Sequence, residues 1–397
     1  MIALLAARTR DVAGAEDALG DAFAAALRRW PVDGVPDNPD AWLLTAARRR
    51  QTDGFRKQQV HTAAQEHMKL IVNEIEAMAD QPDAIPDRRL ALMFACAHPA
   101  IEPGMRTPLI LQTILGLTAE DIAAAFLLSP KTMGQRLVRA KSRIRDAGVP
   151  FRVPDPEELS ERLAAVLDAI YAAYTKSWNE VSVDCFSELA EEAIWLARLT
   201  VSLLPEQPEA KGLLALMLYA SARRAARHDA AGTYVPLEQQ NTNLWDRPLI
   251  ASAEHLLHQA NASGPSGRYQ IEAAIQSAHV ARRLTGVGNW AVVVALYDHL
   301  FALTGSPVVL LNRAVARAQL DGPGAALADL VSVEADKRML SYQPYWAARG
   351  QLLALSGDTV SAAQALTVAI GLTTDESVKG YLLQRLASLS GSQGNHT

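Results

Sequence analysis

Apolar side chains recur at steps of three, four and seven along most of this chain, and β-branched runs are scarce. In residues 1–30 the pattern passes through Ile2, Leu5, Val12, Ala15, Leu19, Phe23 and Leu27, the spacing of helices with one apolar face. Ala and Leu dominate an apolar content of 49%, against 20% charged residues, a balance that favours ordered helix over disorder or sheet. The predicted fold class is all-α. At 397 residues one core does not suffice, so two or three domains are expected.

Prolines and glycines divide the helices. PVDGVPDNPD (31–40) reads as a loop, and Pro39 then suits the first turn of a helix, AWLLTAARRRQTDGFRK, apolar early and basic late. A first domain is placed at 1–57, with Asp11 as N-cap of its second helix, followed by a polar linker at 58–86. Helices near 87–98, 105–115, 119–126 and 130–146 form a second domain, 87–149, closed by Gly148-Val149-Pro150.

The larger remainder, 150–397, reads as helix after helix, with one extended or looped excursion, GTYVPLEQQNTNLWDRPL (232–249). LLNRAVARAQLDGPGAALADL (310–330) and WAARGQLLALSGDTVSAAQAL (346–366) align at an offset of 35 to 36 residues. Each gives helix, Gly-containing turn and Ala-rich helix, near the tetratricopeptide period of about 34. Trp346, Gly350, Ala362, Leu366 and Ala369 stand where that repeat places Trp, Gly, Ala, Phe and Ala. Arg349 and Thr374 replace its usual Leu and Pro. Tetratricopeptide-like repeats are therefore expected near 305–375.

The net charge of −5 is unevenly spread: residues 1–150 hold 19 Lys+Arg against 18 Asp+Glu, the rest 19 against 25. Cys96 and Cys185 lack CxxC spacing, so neither a disulfide framework nor a zinc site is indicated. No apolar run reaches the roughly 18 to 20 residues of a membrane span, and MIALLAARTRD lacks the order of a signal peptide. A cytoplasmic protein without membrane attachment is expected.

LTAEDIAAAFLLSPKTMGQRLVRAKSRIR (117–145) carries the strongest chemistry. Ile122, Ala123, Phe126, Met133, Leu137, Ala140 and Ile144 fall on the inner faces of two short helices joined by a tight turn, a helix-turn-helix arrangement. Leu127 occupies the turn position where glycine is common. The second helix presents Lys131, Thr132, Gln135, Arg136, Arg139 and Arg143, with Lys141 and Arg145 toward its flanks and no acid between 130 and 145. Its width and charge fit the DNA major groove, where Arg and Gln bond base edges in pairs. A second basic helix, ARRRQTDGFRK (47–57), follows Trp42 and suits single-strand stacking and phosphate contact.

Residues 1–150 as a whole resemble the extracytoplasmic-function sigma factors of bacterial RNA polymerase. DVAGAEDALGDAFAAALRRW resembles the region 2 signature around Ala-Glu-Asp, NPDAWLLTAARRR the helix that reads the −10 element, and 117–145 region 4, which reads the −35 element. The resemblance implies core RNA polymerase and promoter DNA as partners. It implies that Glu16, Asp17 and Asp21 face the polymerase, that Asn38 helps capture a flipped −10 base, and that Arg48, Arg49 and Arg56 track the backbone. Gly20 replaces a Gln common in the family, and Met1 falls inside what should be the first helix of region 2, so that domain is expected to be N-terminally short.

The extension resembles that of group 42 within the family, on PEAKGLLALMLYASARRAAR, WDRPLIA, YQIEAAIQSAH and PVVLLNRAVA. Where that group has Glu-Asp-Gln-Asp, this chain has Glu238-Gln239-Gln240-Asn241, followed by Trp245 and Asp246. The loop reads either as a regulatory contact surface, with a protein or peptide as partner of the extension, or as an excursion pinned by buried Trp245, with Asp246 capping the next helix.

No catalytic residues, cofactor or metal site are predicted: no Gly-rich phosphate loop is present, and His255 and His258 stand at i, i+3 without a third ligand. The alternative function is a dimeric one-component regulator whose extension senses a ligand or peptide. A third, a scaffolding or hydrolytic extension behind a vestigial N-terminus, lacks a catalytic constellation. The first reading alone accounts for the Ala-Glu-Asp helix and the basic 47–57 helix.

Overall fold

A computed structural model of the protein describes residues 1–9, 12–36, 38–56, 87–146, 154–177, 183–262, 266–286 and 288–391. Among them the chain is helical and forms no strand, as the all-α expectation requires; an isolated antiparallel bridge joins His228 and Tyr234. The expected linker 58–86, the cap Asp11 and the boundary at 149–150 lie outside the described residues. Two compact units form, Met1–Ala173 and Tyr174–Thr397.

In the first unit α1 (Ile2–Thr9), α2 (Val12–Asp33) and α3 (Pro39–Arg56) pack on one another. The buried side of α2 is mostly alanine: Ala15, Ala18, Ala22 and Ala26 join Leu19, which lets its neighbours approach closely. Phe23 and Leu27, apolar members of the same three-four spacing, point outward instead, at 45% and 78% exposure. Trp30 and Trp42 meet edge to face across α2 and α3, ring centroids 5.6 Å apart. The Asn38 side chain starts α3 by accepting the Ala41 N–H at 3.0 Å, with Pro39 as its first residue.

The same unit continues with α4 (Arg88–Cys96), α5 (Pro103–Thr113), α6 (Ala119–Ala125), α7 (Pro130–Asp146) and α8 (Leu159–Ser177) as far as Ala173. Asp87 caps α4 by accepting the N–H groups of Arg89 and Leu90. Thr118 and Asp121 form a reciprocal capping box at the start of α6. Arg162 on α8 is 1% exposed. Its guanidinium donates to the Phe94 carbonyl at 3.3 Å and to Glu158 at 2.7 Å, so a buried cation ties α8 to α4 with its charge matched.

The second unit runs through α9 (Val183–Leu203), α10 (Pro208–Ala222), α11 (Arg247–Asn261), α12 (Arg268–Thr285), α13 (Trp290–Thr304), α14 (Pro307–Asp321), α15 (Pro323–Glu334), α16 (Gln343–Leu355), α17 (Thr359–Leu372) and α18 (Glu376–Gly391). Sequence neighbours pack on each other, and α10 also packs on α12. That approach is close: a Cβ on Gly212 would stand 2.7 Å from the Gln270 backbone nitrogen.

The two look-alike segments are the pairs α14–α15 and α16–α17. Their turns place Gly322 at φ 84° and Gly357 at φ 87°, a backbone region that favours glycine. Ala314 and Gly350, Ala326 and Ala362, Leu330 and Leu366, and Val333 and Ala369 are equivalent and buried. Arg313 and Arg317 both reach Asp329, at 3.1 and 2.8 Å, and Arg349 reaches Glu334 at 3.0 Å, so arginines on α14 and α16 tie to acids on α15. The start of α18 returns to the excursion after α10: the Tyr234 N–H donates to the Ser377 carbonyl at 3.3 Å, and Tyr234 and Tyr381 meet edge to face at 5.9 Å.

Candidate nucleic-acid and polymerase interface

The pair α6–α7 turns sharply through residues 126–129. Leu127 has φ 52°, making it the described non-glycine residue with positive φ. Ser129 then caps α7, its hydroxyl accepting the Thr132 N–H at 3.1 Å and pairing with the Thr132 hydroxyl at 2.7 Å, while Pro130 supplies the first helical position.

Met133, Leu137, Ala140 and Ile144 turn into the core. Lys131, Gln135, Arg136, Arg139 and Arg143 are exposed and Thr132 is half-buried, so the six expected groove-reading residues share the outer side of α7. Arg143 lies near Glu102 at 3.5 Å, both side chains largely exposed, a contact worth at most about 1 kcal/mol. Lys141 departs from the expected flank position. It is 8% exposed, and its ammonium is bound to the Glu16 carboxylate on α2.

On α2, Asp17, Asp21, Phe23 and Leu27 are all exposed, and Asp21 lies 3.9 Å from Arg50 on α3. The spacing rule assigned Phe23 and Leu27 to a buried face, so their exposure escaped it. On α3, Arg49 is exposed, Arg48 is half-buried, and Asn38 sits exposed at the helix start. The backbone of Arg56 ends α3; its side chain lies outside the described residues.

The excursion in the second unit is built from internal bonds. Trp245 is 3% exposed, and Asp246 caps α11 by accepting the Leu249 N–H at 2.9 Å while its own N–H donates to the Ala222 carbonyl at 2.9 Å. Glu238 pairs with Arg282, whose guanidinium lies 4.7 Å over the Trp290 ring. Gln240 is buried; its side-chain amide donates to the Val235 carbonyl at 3.2 Å, and its backbone carbonyl accepts from Arg283 at 2.8 Å. Burial, with the Arg282 and Arg223 charges nearby, holds the His279 imidazole down at about 4; burial likewise lowers Arg227 to about 10.

His255 borders an open groove of about 580 Å³ with Arg198, Ser202, Leu214 and Ser252, and its ring bonds Gln259 at 2.8 Å. Among the described residues no three His, Cys, Asp or Glu side chains converge as metal ligands, and no helix is long and apolar enough to cross a membrane.

Residues 1–60 match sigma-70 region 2, and residues 162–261 match a family of unknown function, DUF6596. Across 382 residues the chain is 37% identical to an uncharacterized protein of Rhizobium meliloti, covering 95% of this chain and 90% of that one. The chain belongs to that protein's family and carries a sigma-70 region 2 domain. No solved structure matches. The region 2 match spans α1 to α3, so Glu16, Asp17, Asp21, Asn38, Arg48, Arg49 and Arg56 all lie within a sigma-70 domain. The second match covers most of α8 through α11 and includes Glu238, Trp245 and Asp246.

Proposed function

We propose that this protein is a sigma factor of the extracytoplasmic-function type, of group 42, which binds core RNA polymerase and directs it to promoters. The observation carrying this reading is a sigma-70 region 2 domain at residues 1–60 followed in the same chain by a helix-turn-helix pair whose second helix exposes Lys131, Gln135, Arg136, Arg139 and Arg143. One domain grips each promoter element, and neither performs covalent chemistry. α7 enters the major groove at −35, with Gln135 and Arg136 at base edges and Lys131, Thr132, Arg139 and Arg143 bonding bases or phosphates. Region 2 docks on polymerase through Asp17, Asp21 and Glu16, with Phe23 and Leu27 adding apolar area. Asn38, Arg48, Arg49 and Arg56 hold the opened −10 strand.

The helical extension, read as tetratricopeptide-like, regulates this activity by docking a protein or peptide partner. The close Gly350 to Leu366 packing and the matched positions of α14–α15 and α16–α17 support that reading. The test is transcription from a promoter library by core polymerase with the full chain added: transcripts that depend on −35 and −10 sequences are expected, and their absence sinks the proposal.

A further inference from the structure

We propose that the groove between α9 and α11 takes a small amphipathic organic acid, with its carboxylate on Arg198, a hydroxyl or amide proton on the serine oxygens and an apolar body over Leu214 and Leu256. Binding needs neither polymerase nor DNA, so the inference stands apart from the sigma-factor reading.

α9 and α11 both pack on α10, and Leu214 of α10 is the floor between them, 3% exposed. Arg198 and Ser202 line the α9 side, and Ser252, His255 and Leu256 the α11 side. At about 580 Å³ the groove falls within the roughly 300–1,000 Å³ of small-molecule sites.

Charge decides what fills it. Among the described residues no Asp or Glu lines the groove, and Arg198 has neither an ion pair nor a hydrogen bond. Yet it stands in acidic company: beyond residue 150 the chain holds 19 Lys+Arg against 25 Asp+Glu, and Arg282, Arg313, Arg317, Arg338 and Arg349 each meet a carboxylate. An unmatched guanidinium in a concave site attracts an anion, and its planar fork fits the two oxygens of a carboxylate. A phosphate dianion would call for free backbone N–H groups as well. None is offered here, because α11 starts at Arg247, more than a turn before Ser252, and the Leu249 N–H is already given to Asp246.

Hydrogen bonds within the walls fix the rest. Ser202 Oγ donates its proton to the Leu199 carbonyl at 2.8 Å, and Ser252 Oγ to the Pro248 carbonyl at 3.0 Å, so both serines offer lone pairs rather than protons. The Gln259 amide nitrogen lies 2.8 Å from His255 Nε2 and can only donate, so a neutral His255 carries its proton on Nδ1. The groove thus presents a cation and a ring N–H for an anion, two acceptors for a donor, and an apolar floor. An acid with a hydroxyl or amide near its carboxylate and a short alkyl tail matches all three.

The test titrates 3-hydroxydecanoate, at submicellar concentrations, against the full chain and follows it by ligand-detected NMR. Its roughly 13 non-hydrogen atoms in an open groove should give saturable binding near about 1 mM or tighter. Arg198→Gln should weaken binding at least about tenfold, and the methyl ester, which lacks the charge, should bind the parent at least about tenfold more weakly. Ala251→Phe, which fills the groove from an exposed lining position, should abolish it. Arg198 makes no bond that the fold depends on, so Arg198→Gln should keep the parental circular dichroism.

No saturable binding up to about 5 mM, parental binding by Arg198→Gln or Ala251→Phe, or equal binding of ester and acid overturns the proposal. A short peptide ending in leucine with a free carboxylate is titrated alongside. Binding by that peptide at least about tenfold tighter than by the acid, and lost in Arg198→Gln, would assign the groove to a chain terminus and overturn the proposal as well.

Discussion

Gly350 on α16 lies so close to Leu366 on α17 that a Cβ at position 350 would stand 2.9 Å from the leucine Cγ and 3.3 Å from the Ala362 carbonyl. Leu366 is 4% exposed and packs with Ala369 and Leu382, so it has no room to yield. Gly350→Ala should cost about 1–2 kcal/mol, the overpacking penalty exceeding the roughly 1 kcal/mol of helix propensity gained. Hydrogen exchange across 343–372 reads this directly; unchanged or slower exchange contradicts it.

Leu127 adopts φ 52° in the turn between α6 and α7, at a strain of about 1–2 kcal/mol for an L side chain. Leu127→Gly should be neutral or stabilising by up to about 1 kcal/mol, because relief of strain competes with the greater freedom of glycine in the unfolded chain. Leu127→Val, β-branched in the same conformation, should destabilise by more than about 1 kcal/mol. The order of the two variants in urea unfolding decides the point.

His279 is held neutral to about 4 by burial and by Arg282 and Arg223. The unfolded chain, with an ordinary value near 6.5, binds the proton first as pH falls. This contribution is fully present above about pH 6.5 and is lost as pH drops toward 4, up to about 3 kcal/mol. Thermal unfolding of the parent and of His279→Gln at pH 7 and pH 4.5 should show the variant losing less. Equal losses would mean the imidazole titrates alike in both states.

Gln135 and Arg136 differ from Arg143 in what they are assigned to read. Gln135→Ala or Arg136→Ala should each weaken binding to the preferred −35 sequence by about 1–3 kcal/mol and relax its specificity. Arg143→Ala, beside Glu102, should weaken all sequences alike and lower the salt slope by about one. Competition binding of polymerase carrying the full chain, at two salt concentrations, separates these outcomes.

Asp246 accepts the Leu249 N–H at the start of α11. Asp246→Ala should cost about 1 kcal/mol, and Trp245→Ala, which removes a buried ring, about 3–5 kcal/mol. Calorimetry of the full chain with each substitution checks both. A Trp245→Ala protein of parental stability would show that the ring does not anchor the excursion.

The sequence was most readable where local rules suffice. Three-four spacing placed the helices, and an acid-free run from 130 to 145 marked the outer side of α7. Trp245 and Asp246 were open to two readings, and their bonds are those of an anchored loop. What escaped depended on distant partners. Phe23 and Leu27 fit the apolar spacing of α2, but its alanines already fill the buried side, and no local signal distinguishes the two cases. Lys141 sits where a helix turns from core to flank, and only Glu16, far away in the chain, draws it inward. Arg162 looks like any surface arginine until the Phe94 carbonyl is seen above it.

The bond from Tyr234 to Ser377, and the ring contact from Tyr234 to Tyr381, join α18 to the excursion between α10 and α11. A row of stacked helix pairs open at its end frays from that end, one pair at a time, because each pair touches only its neighbours. Fastened in this way, the last helix cannot peel off without releasing the 228–234 segment as well. Loss of order from α11 to α18 should therefore be coupled, and a protease acting on α18 should have to wait for the 228–234 segment to let go.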